Sequence, residues 1–171
     1  MQVTLVDISQ DVLNKSQARV NESIKRVAKK QFKEDQAAGD KFCSEAIARL
    51  KVATSPEDAL KTADLLIEAV VENLDLKQKL FKDYDKWAAE KTIFASNTRS
   101  LPIKDIAKAT NRMDRFGGLH FFNPVPVMKL LEVIRIPETS DETYQAMMAW
   151  GAAMKKSCVT CQDTPGFIVN R

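Results

Sequence analysis

Residues 118–124 read Gly118-Leu-His120-Phe-Phe-Asn123-Pro124 and carry the only histidine in a chain of 171 residues. An imidazole has an unperturbed pKa of ~6.5 and suits proton transfer near neutrality. A carboxylate able to partner it, Glu132, follows twelve residues later in the strand-like run 130–136. A strand, a turn and a return strand fit that interval, so Glu132 could reach the ring from a neighbouring strand. A lone histidine is more often packed structure than a proton carrier, and the case for chemistry rests on what surrounds it. Asp7 is a second candidate, at the end of the run Val-Thr-Leu-Val and ahead of a helix. A carboxylate placed there can accept hydrogen bonds from an adenosine ribose, or simply cap the helix.

The elements that must hold these groups alternate. The pattern predicts a short buried strand at 3–6, then a helix of about 25 residues capped by Ser9, with Leu13, Val20, Ile24 and Val27 on its apolar stripe. Ala37-Ala-Gly39-Asp40 reads as a break before a second helix at 40–50. A weak strand at 52–54, a Ser55-Pro56 turn and a short helix at 57–61 follow. The run 64–71 is the clearest buried strand. The helix at 75–90 presents Leu76, Leu80, Tyr84 and Trp87, and a strand at 92–95 precedes a short helix begun by Pro102. Strands at 116–122 and 130–136, a helix at 141–156 and a strand at 159–161 complete the pattern. Strand–helix alternation with short connections predicts an α/β fold with a mostly parallel sheet. The consecutive late strands predict an antiparallel extension, and a single domain is the simplest account.

Composition narrows the classes. A net charge of +3 is too weak to argue for nucleic acid, and no apolar run approaches the ~20 residues of a membrane span. Positive charge is nevertheless concentrated at Lys25, Arg26, Lys29, Lys30 and Lys33, which by itself reads as a solvated basic face. Cys158-Val-Thr-Cys161 has chelating spacing, but on a strand positions i and i+3 face opposite ways, so no metal site is expected. With Cys43 as the third cysteine, reduced thiols are the expectation. None of the five glycines forms a Gly-x-Gly-x-x-Gly loop. The pattern therefore predicts a chain that starts after a phosphate-binding strand, loop and helix.

Four segments occur in order: Val-Glu72-Asn73, Ser96-Asn-Thr98, Gly118-Leu-His-Phe-Phe-Asn-Pro-Val-Pro-Val-Met-Lys129 and Asp163-Thr-Pro-Gly-Phe-Ile-Val-Asn-Arg171. Together with Val27-Ala-Lys-Lys30 they resemble the L-3-hydroxyacyl-CoA dehydrogenase family, in its short-chain mitochondrial form, across the whole chain. The resemblance implies an incomplete Rossmann-like doubly wound sheet. It also implies NAD-dependent oxidation of the C3 hydroxyl of a fatty acyl-CoA in β-oxidation. His120 matches the catalytic base, and Glu132 matches the carboxylate that orients the ring and favours the imidazolium formed. Asn170 matches a polar residue near the substrate oxygen. Asp7, Glu72, Lys77 and Asn123 match positions lining the NAD site, and Ser23 and Lys30 match positions contacting coenzyme A. The basic helix thereby gains a polyanionic partner.

Three departures imply impaired turnover. Set against the resemblance, the chain is expected to lack the phosphate loop and the family's helical C-terminal domain, which supplies the homodimer contact and closes the cleft. The family loop reads Ser-Asn-Thr-Ser-Ser, and Arg99 stands at the serine that contacts substrate and cofactor. Arginine accepts no hydrogen bond and is permanently charged. In a doubly wound order the missing first strand is central, so its loss exposes two strand edges inside the sheet. Three readings remain open: a segment of an authentic dehydrogenase, a non-catalytic acyl-CoA-binding or interaction protein derived from the family, and an unstable incomplete product. Location in the mitochondrial matrix follows from the resemblance. No transit peptide precedes the first strand, which leaves a cytoplasmic location as the other expectation.

Overall fold

β-Branched residues in Val-Thr-Leu-Val and an apolar Leu-Lys-Val-Ala run form two short strands, β1 (Val3–Val6) and β2 (Leu50–Ala53). They pair in parallel with Val3 opposite Leu50. The computed structural model describes residues 1–169, and the chain divides into two compact units, Met1–Ala59 and the remainder from Leu60 onward. The expected single sheet is correspondingly two, β1-β2 and β3-β4-β5-β6-β7, with no ladder from β1 to β3 among the described residues. β1 is largely exposed rather than buried, since Val3 and Val6 face solvent.

In the first unit, helix α1 (Gln10–Gln31) starts where expected, with Ser9 Oγ accepting from the Val12 N–H. Leu13 and Ala28 are buried on its inner face, whereas Val27 is exposed. The break before α2 (Gln36–Ala48) falls at 32–35 rather than at Gly39. Asp35 explains the shift: its carboxylate accepts from the Ala38 N–H at 2.9 Å and caps the new helix. Gly39 sits inside the first turn, where an added Cβ would meet the Phe32 ring stem at 3.4 Å.

The second unit is built on a five-stranded sheet of β3 (Leu65–Glu68), β4 (Ile93–Ser96), β5 (Phe116–Phe121), β6 (Leu130–Arg135) and β7 (Ser157–Gln162). All neighbours pair in parallel except β5 and β6, the antiparallel pair. Helix α3 (Glu57–Leu60) precedes β3, α4 (Leu74–Trp87) joins β3 to β4, α5 (Ile103–Ala107) follows β4, and α6 (Asp141–Ala153) joins β6 to β7. β3 is shorter than the apolar run 64–71. It stops because the Val70 N–H turns back to the Glu68 carboxylate at 2.6 Å instead of continuing a ladder.

Apolar residues cover both faces of this sheet, as α/β packing requires. One face joins Phe81, Phe94 and Phe116 with Ile103, Ile106 and Cys161. Ring centroids of 5.6 Å from Phe81 to Phe94 and 4.7 Å to Phe116 suit tilted and edge-on aromatic contacts. The other face joins Leu119, Leu131, Val133 and Met147, with Cys158 packed against it. The two cysteines of β7 thus lie on opposite faces, as strand geometry predicted. Burial pushes the Cys158 thiol above its ordinary pKa. The guanidinium of Arg112 closes the end of α4. It bonds Asp85 at 2.5 Å and the Ala89 carbonyl at 2.6 Å while lying 4.7 Å over the Phe94 ring.

β5 is where the layers press closest. A Cβ at Gly117 would lie 2.5 Å from Met147, and one at Gly118 would lie 2.8–3.0 Å from Ile103 and Ile134. Only glycine admits α5 and α6 this near a central strand. Gly118→Ala should therefore destabilise the second unit by about 1–3 kcal/mol through overpacking. Urea unfolding followed by tryptophan fluorescence measures this, and an unchanged midpoint would contradict it.

Candidate active site

Antiparallel pairing sets His120 directly opposite Glu132 in the β5–β6 register. Opposed residues project to the same face, so the two side chains meet there. His120 Nδ1 lies 2.6 Å from Glu132 Oε2, and both residues are almost wholly buried. An ionised carboxylate only accepts, so facing one Nδ1 is the donor, and in the neutral ring Nε2 is then the nitrogen with the lone pair. The ring is further confined by Phe122 and Phe167, with centroids 4.4 and 5.8 Å away. Asn97 Oδ1 accepts from the Phe121 N–H at 3.0 Å and ties the end of β4 to the residue after His120.

The other oxygen of Glu132 was not foreseen from sequence. Oε1 accepts from both the Ile168 and Val169 backbone N–H groups at 3.0 Å. One carboxylate therefore orients the imidazole and anchors the segment after β7. A second clamp holds the start of that segment, where the two oxygens of Asp163 accept from the Ile103 and Lys104 N–H groups at 2.8 Å. Asp163 thus caps α5 from sixty residues away, because Pro102 at the cap position supplies no side-chain acceptor. Between the clamps, Gly166 and Phe167 take φ values of 75° and 51°, which turns the buried Phe167 ring toward His120.

A second polar group forms at the carboxyl ends of β3 and β4, where ligands bind in parallel sheets. Glu72 accepts from the Thr98 hydroxyl at 2.9 and 3.0 Å and from the Arg99 N–H at 2.6 Å. Lys77 is fully buried, and its ammonium donates to both oxygens of Glu68 at 2.8 and 2.9 Å. This shifts the predicted face of α4: Leu76 is exposed and Lys77 and Phe81 are fully buried, Glu68 neutralising the lysine, while Leu80, Tyr84 and Trp87 are partly buried as expected. Glu68 itself is a site residue that the sequence reading missed. Its only signal was a carboxylate inside an apolar run, nine residues before a lysine. Exposed Val70 and Val71 adjoin the partly exposed Glu72 carboxylate.

The remaining candidates fall on other segments of the chain. Asn123 is exposed in the connection 122–129, preceding a cis Pro124. Lys156 holds that connection by donating to the Val125 and Met128 carbonyls at 2.5 and 2.8 Å. Asp7, Ser23 and Lys30 belong to the first unit. There Asp7 Oδ1 accepts from the Ser9 N–H at 2.9 Å, so part of its carboxylate serves the helix start. Ser23 is half-buried, and Lys30 is exposed along with Lys25, Arg26, Lys29 and Lys33. Asn170 falls outside the described residues. Among those residues no His/Cys/Asp/Glu cluster could hold a metal ion, and no helix is long and apolar enough to cross a membrane.

Residues 1–164 match the family model described as 3-hydroxyacyl-CoA dehydrogenase, NAD binding domain. The chain is 53% identical over 169 residues to human mitochondrial hydroxyacyl-coenzyme A dehydrogenase, covering 99% of this chain and 54% of that protein. The mouse protein of the same name is also 53% identical, with the same coverage. Among solved structures, (S)-3-hydroxybutyryl-CoA dehydrogenase from Ralstonia eutropha superposes with a TM-score of 0.90 at 45% identity, over 100% of this chain and 58% of that one. The chain spans about half the length of the curated relatives it matches.

Replacing Glu132 by alanine removes three hydrogen bonds at once and leaves two backbone donors without their acceptor. A loss of about 3 kcal/mol or more is expected, since bonds to charged acceptors contribute roughly 1.5–3 kcal/mol each. Amide hydrogen exchange should accelerate at Ile168 and Val169 before it does in β6. Unchanged protection at those two amides would disprove the second clamp.

Proposed function

The chain belongs to the 3-hydroxyacyl-CoA dehydrogenase family, in its NAD-binding domain, and from that premise we propose that it carries the base and the cofactor edge for oxidising an L-3-hydroxyacyl-CoA to the 3-oxoacyl-CoA. The observation that carries this reading is the buried His120–Glu132 pair, 2.6 Å apart on adjacent strands. His120 Nε2 takes the proton of the C3 hydroxyl as the carbon–oxygen double bond forms. Glu132 keeps Nδ1 protonated, fixes the ring plane and faces the positive charge that the imidazole gains. NAD, when bound, supplies the acceptor for the hydride that leaves C3. Glu72, held by Thr98 and Arg99, would line the edge that receives it, with Asn123 on the neighbouring connection. Phe122 and Phe167 keep water from the imidazole.

On α1, Ser23 and Lys30 would meet coenzyme A, with Lys30 and the adjacent lysines facing its phosphates. The sugar of the cofactor would fall to the free acceptor capacity of Asp7. The mitochondrial names of the human and mouse relatives support a place in the mitochondrial matrix. Turnover would be impaired by Arg99, which brings a cation to a loop position where the family resemblance expects a hydroxyl. The basic helix also supports a second reading, an acyl-CoA binder without turnover.

One measurement separates these readings, and a second tests the helix they share. NADH formation from 3-hydroxybutyryl-CoA should be weak with this chain and stronger after Arg99→Ser. Adding His120→Gln to that variant should lower it again by roughly 10²–10⁴, the usual share of a general base. No NADH from either the chain or its Arg99→Ser variant would favour the binder. Coenzyme A affinity should fall about tenfold after Lys30→Glu at low salt, and the difference should shrink as salt rises. Equal affinity at low ionic strength would return α1 to a solvated face.

A further inference from the structure

We propose that Glu68 is a positioning residue for the cofactor edge, one that absorbs the charge of Lys77 and so leaves Glu72 to hold the loop bearing Thr98 and Arg99. The inference rests on the reading of that edge as the NAD site, and it adds a residue that lies behind the edge rather than on it.

The geometry is that of two carboxylates competing for one buried ammonium. Lys77 has no exposed side-chain surface, Glu68 has 1% and Glu72 has 27%. Lys77 Nζ takes Glu68 Oε1 at 2.8 Å and Oε2 at 2.9 Å, and lies 3.7 Å from Glu72 Oε2. A movement of about 1 Å would bring the ammonium within hydrogen-bond range of Glu72. Glu68 prevents that movement, and it is itself locked. The Val70 N–H and the Ser96 hydroxyl donate to it at 2.6 Å each, and its own carbonyl accepts from the Asn97 N–H at 2.7 Å.

What Glu72 does with its freedom decides the loop. Its oxygens take the Thr98 hydroxyl and the Arg99 N–H. Thr98 Oγ1 in turn accepts from the Leu101 N–H at 3.0 Å and the Ser100 N–H at 3.3 Å. The turn from residue 98 to residue 101 is thus wound on one hydroxyl, and that hydroxyl hangs from Glu72. Without the Glu68 charge, Glu72 is, among the described residues, the one carboxylate within 4 Å of the buried ammonium. A buried cation must be paired, so Glu72 would turn inward and release the loop. The positioning therefore depends on charge balance and not on the shape of the Glu68 side chain.

Amide hydrogen exchange on the 171-residue chain reads this without any ligand. Glu68→Gln, which keeps shape and removes charge, should speed exchange at Arg99 and Leu101 by about tenfold while β5 and β6 keep their protection. Glu68→Gln combined with Lys77→Met removes both charges and should return those two amides close to the parent rates. Unchanged exchange in the single variant overturns the inference, and so does a double variant as fast as the single. Should the single variant not fold, a folded double variant with parent-like exchange supports the charge argument, and an unfolded or fast-exchanging one overturns it. Titration with NADH, followed by its fluorescence, supplies the second arm. Affinity should drop about tenfold in Glu68→Gln, and an unchanged affinity beside accelerated exchange overturns the positioning role. A parent chain that fails to bind NADH while exchange behaves as described overturns the cofactor reading alone.

Discussion

A carboxylate with no exposed surface must find its hydrogen-bond partners inside the protein, and Glu132 finds them on two other segments. One oxygen meets the imidazole on β5, and the other meets two consecutive amides after β7. An unpaired charge in that position would cost several kcal/mol, so the ring and the terminal segment are held by the same requirement. Phe167 follows from it as well. Its left-handed backbone lets the chain turn so that the ring packs beside His120 while the next two amides reach Glu132. The proposed base is therefore not a histidine that happens to be buried. It is one of the groups that make burial of the carboxylate tolerable.

The same logic governs the carboxyl ends of β3 and β4. Buried Glu68 and Lys77 neutralise one another, and the remaining capacity of Glu68 goes to Val70 and Ser96. The chain then passes from Ser96 to Asn97, whose backbone bonds β3 and whose side chain bonds β5 next to His120. Two buried ionic groups, on different strands, are thus linked through a single residue. Packing leaves little slack in this arrangement, since helices cover both faces of the sheet and β5 has room for glycine alone at Gly117 and Gly118.

The first unit follows simpler rules. Its helices begin where a short polar side chain can cap them, at Ser9 and Asp35, and its lysines stay in water. Exposed cations on a helix attract polyanions without demanding a fixed geometry. Exposed β1 shows what a two-stranded parallel ladder lacks: too few neighbours to bury its valines.

Periodicity and turn chemistry made most elements legible from the residues alone. The α/β class, the mostly parallel pairing, the late antiparallel pair and the opposite placement of Cys158 and Cys161 all follow from local patterns of period two and 3.6. The twelve-residue interval between His120 and Glu132 was enough to expect a hairpin pairing, because register on adjacent strands is an arithmetic consequence of the turn. Errors arose where a distant group decided a local question. Gly39 looked like a break until Asp35 capped the helix ahead of it. Glu68 was passed over because a carboxylate in an apolar run, nine residues before Lys77, does not by itself show that the two are buried as a pair. Asp163 capping α5, Glu132 holding Ile168 and Val169, and the division into two units join or separate residues far apart along the chain. Sequence determines which groups need partners, since that is set by each residue's own charge and hydrogen-bonding capacity. Only the tertiary structure decides which partners they receive, because burial is a property of the packed chain and not of any residue within it.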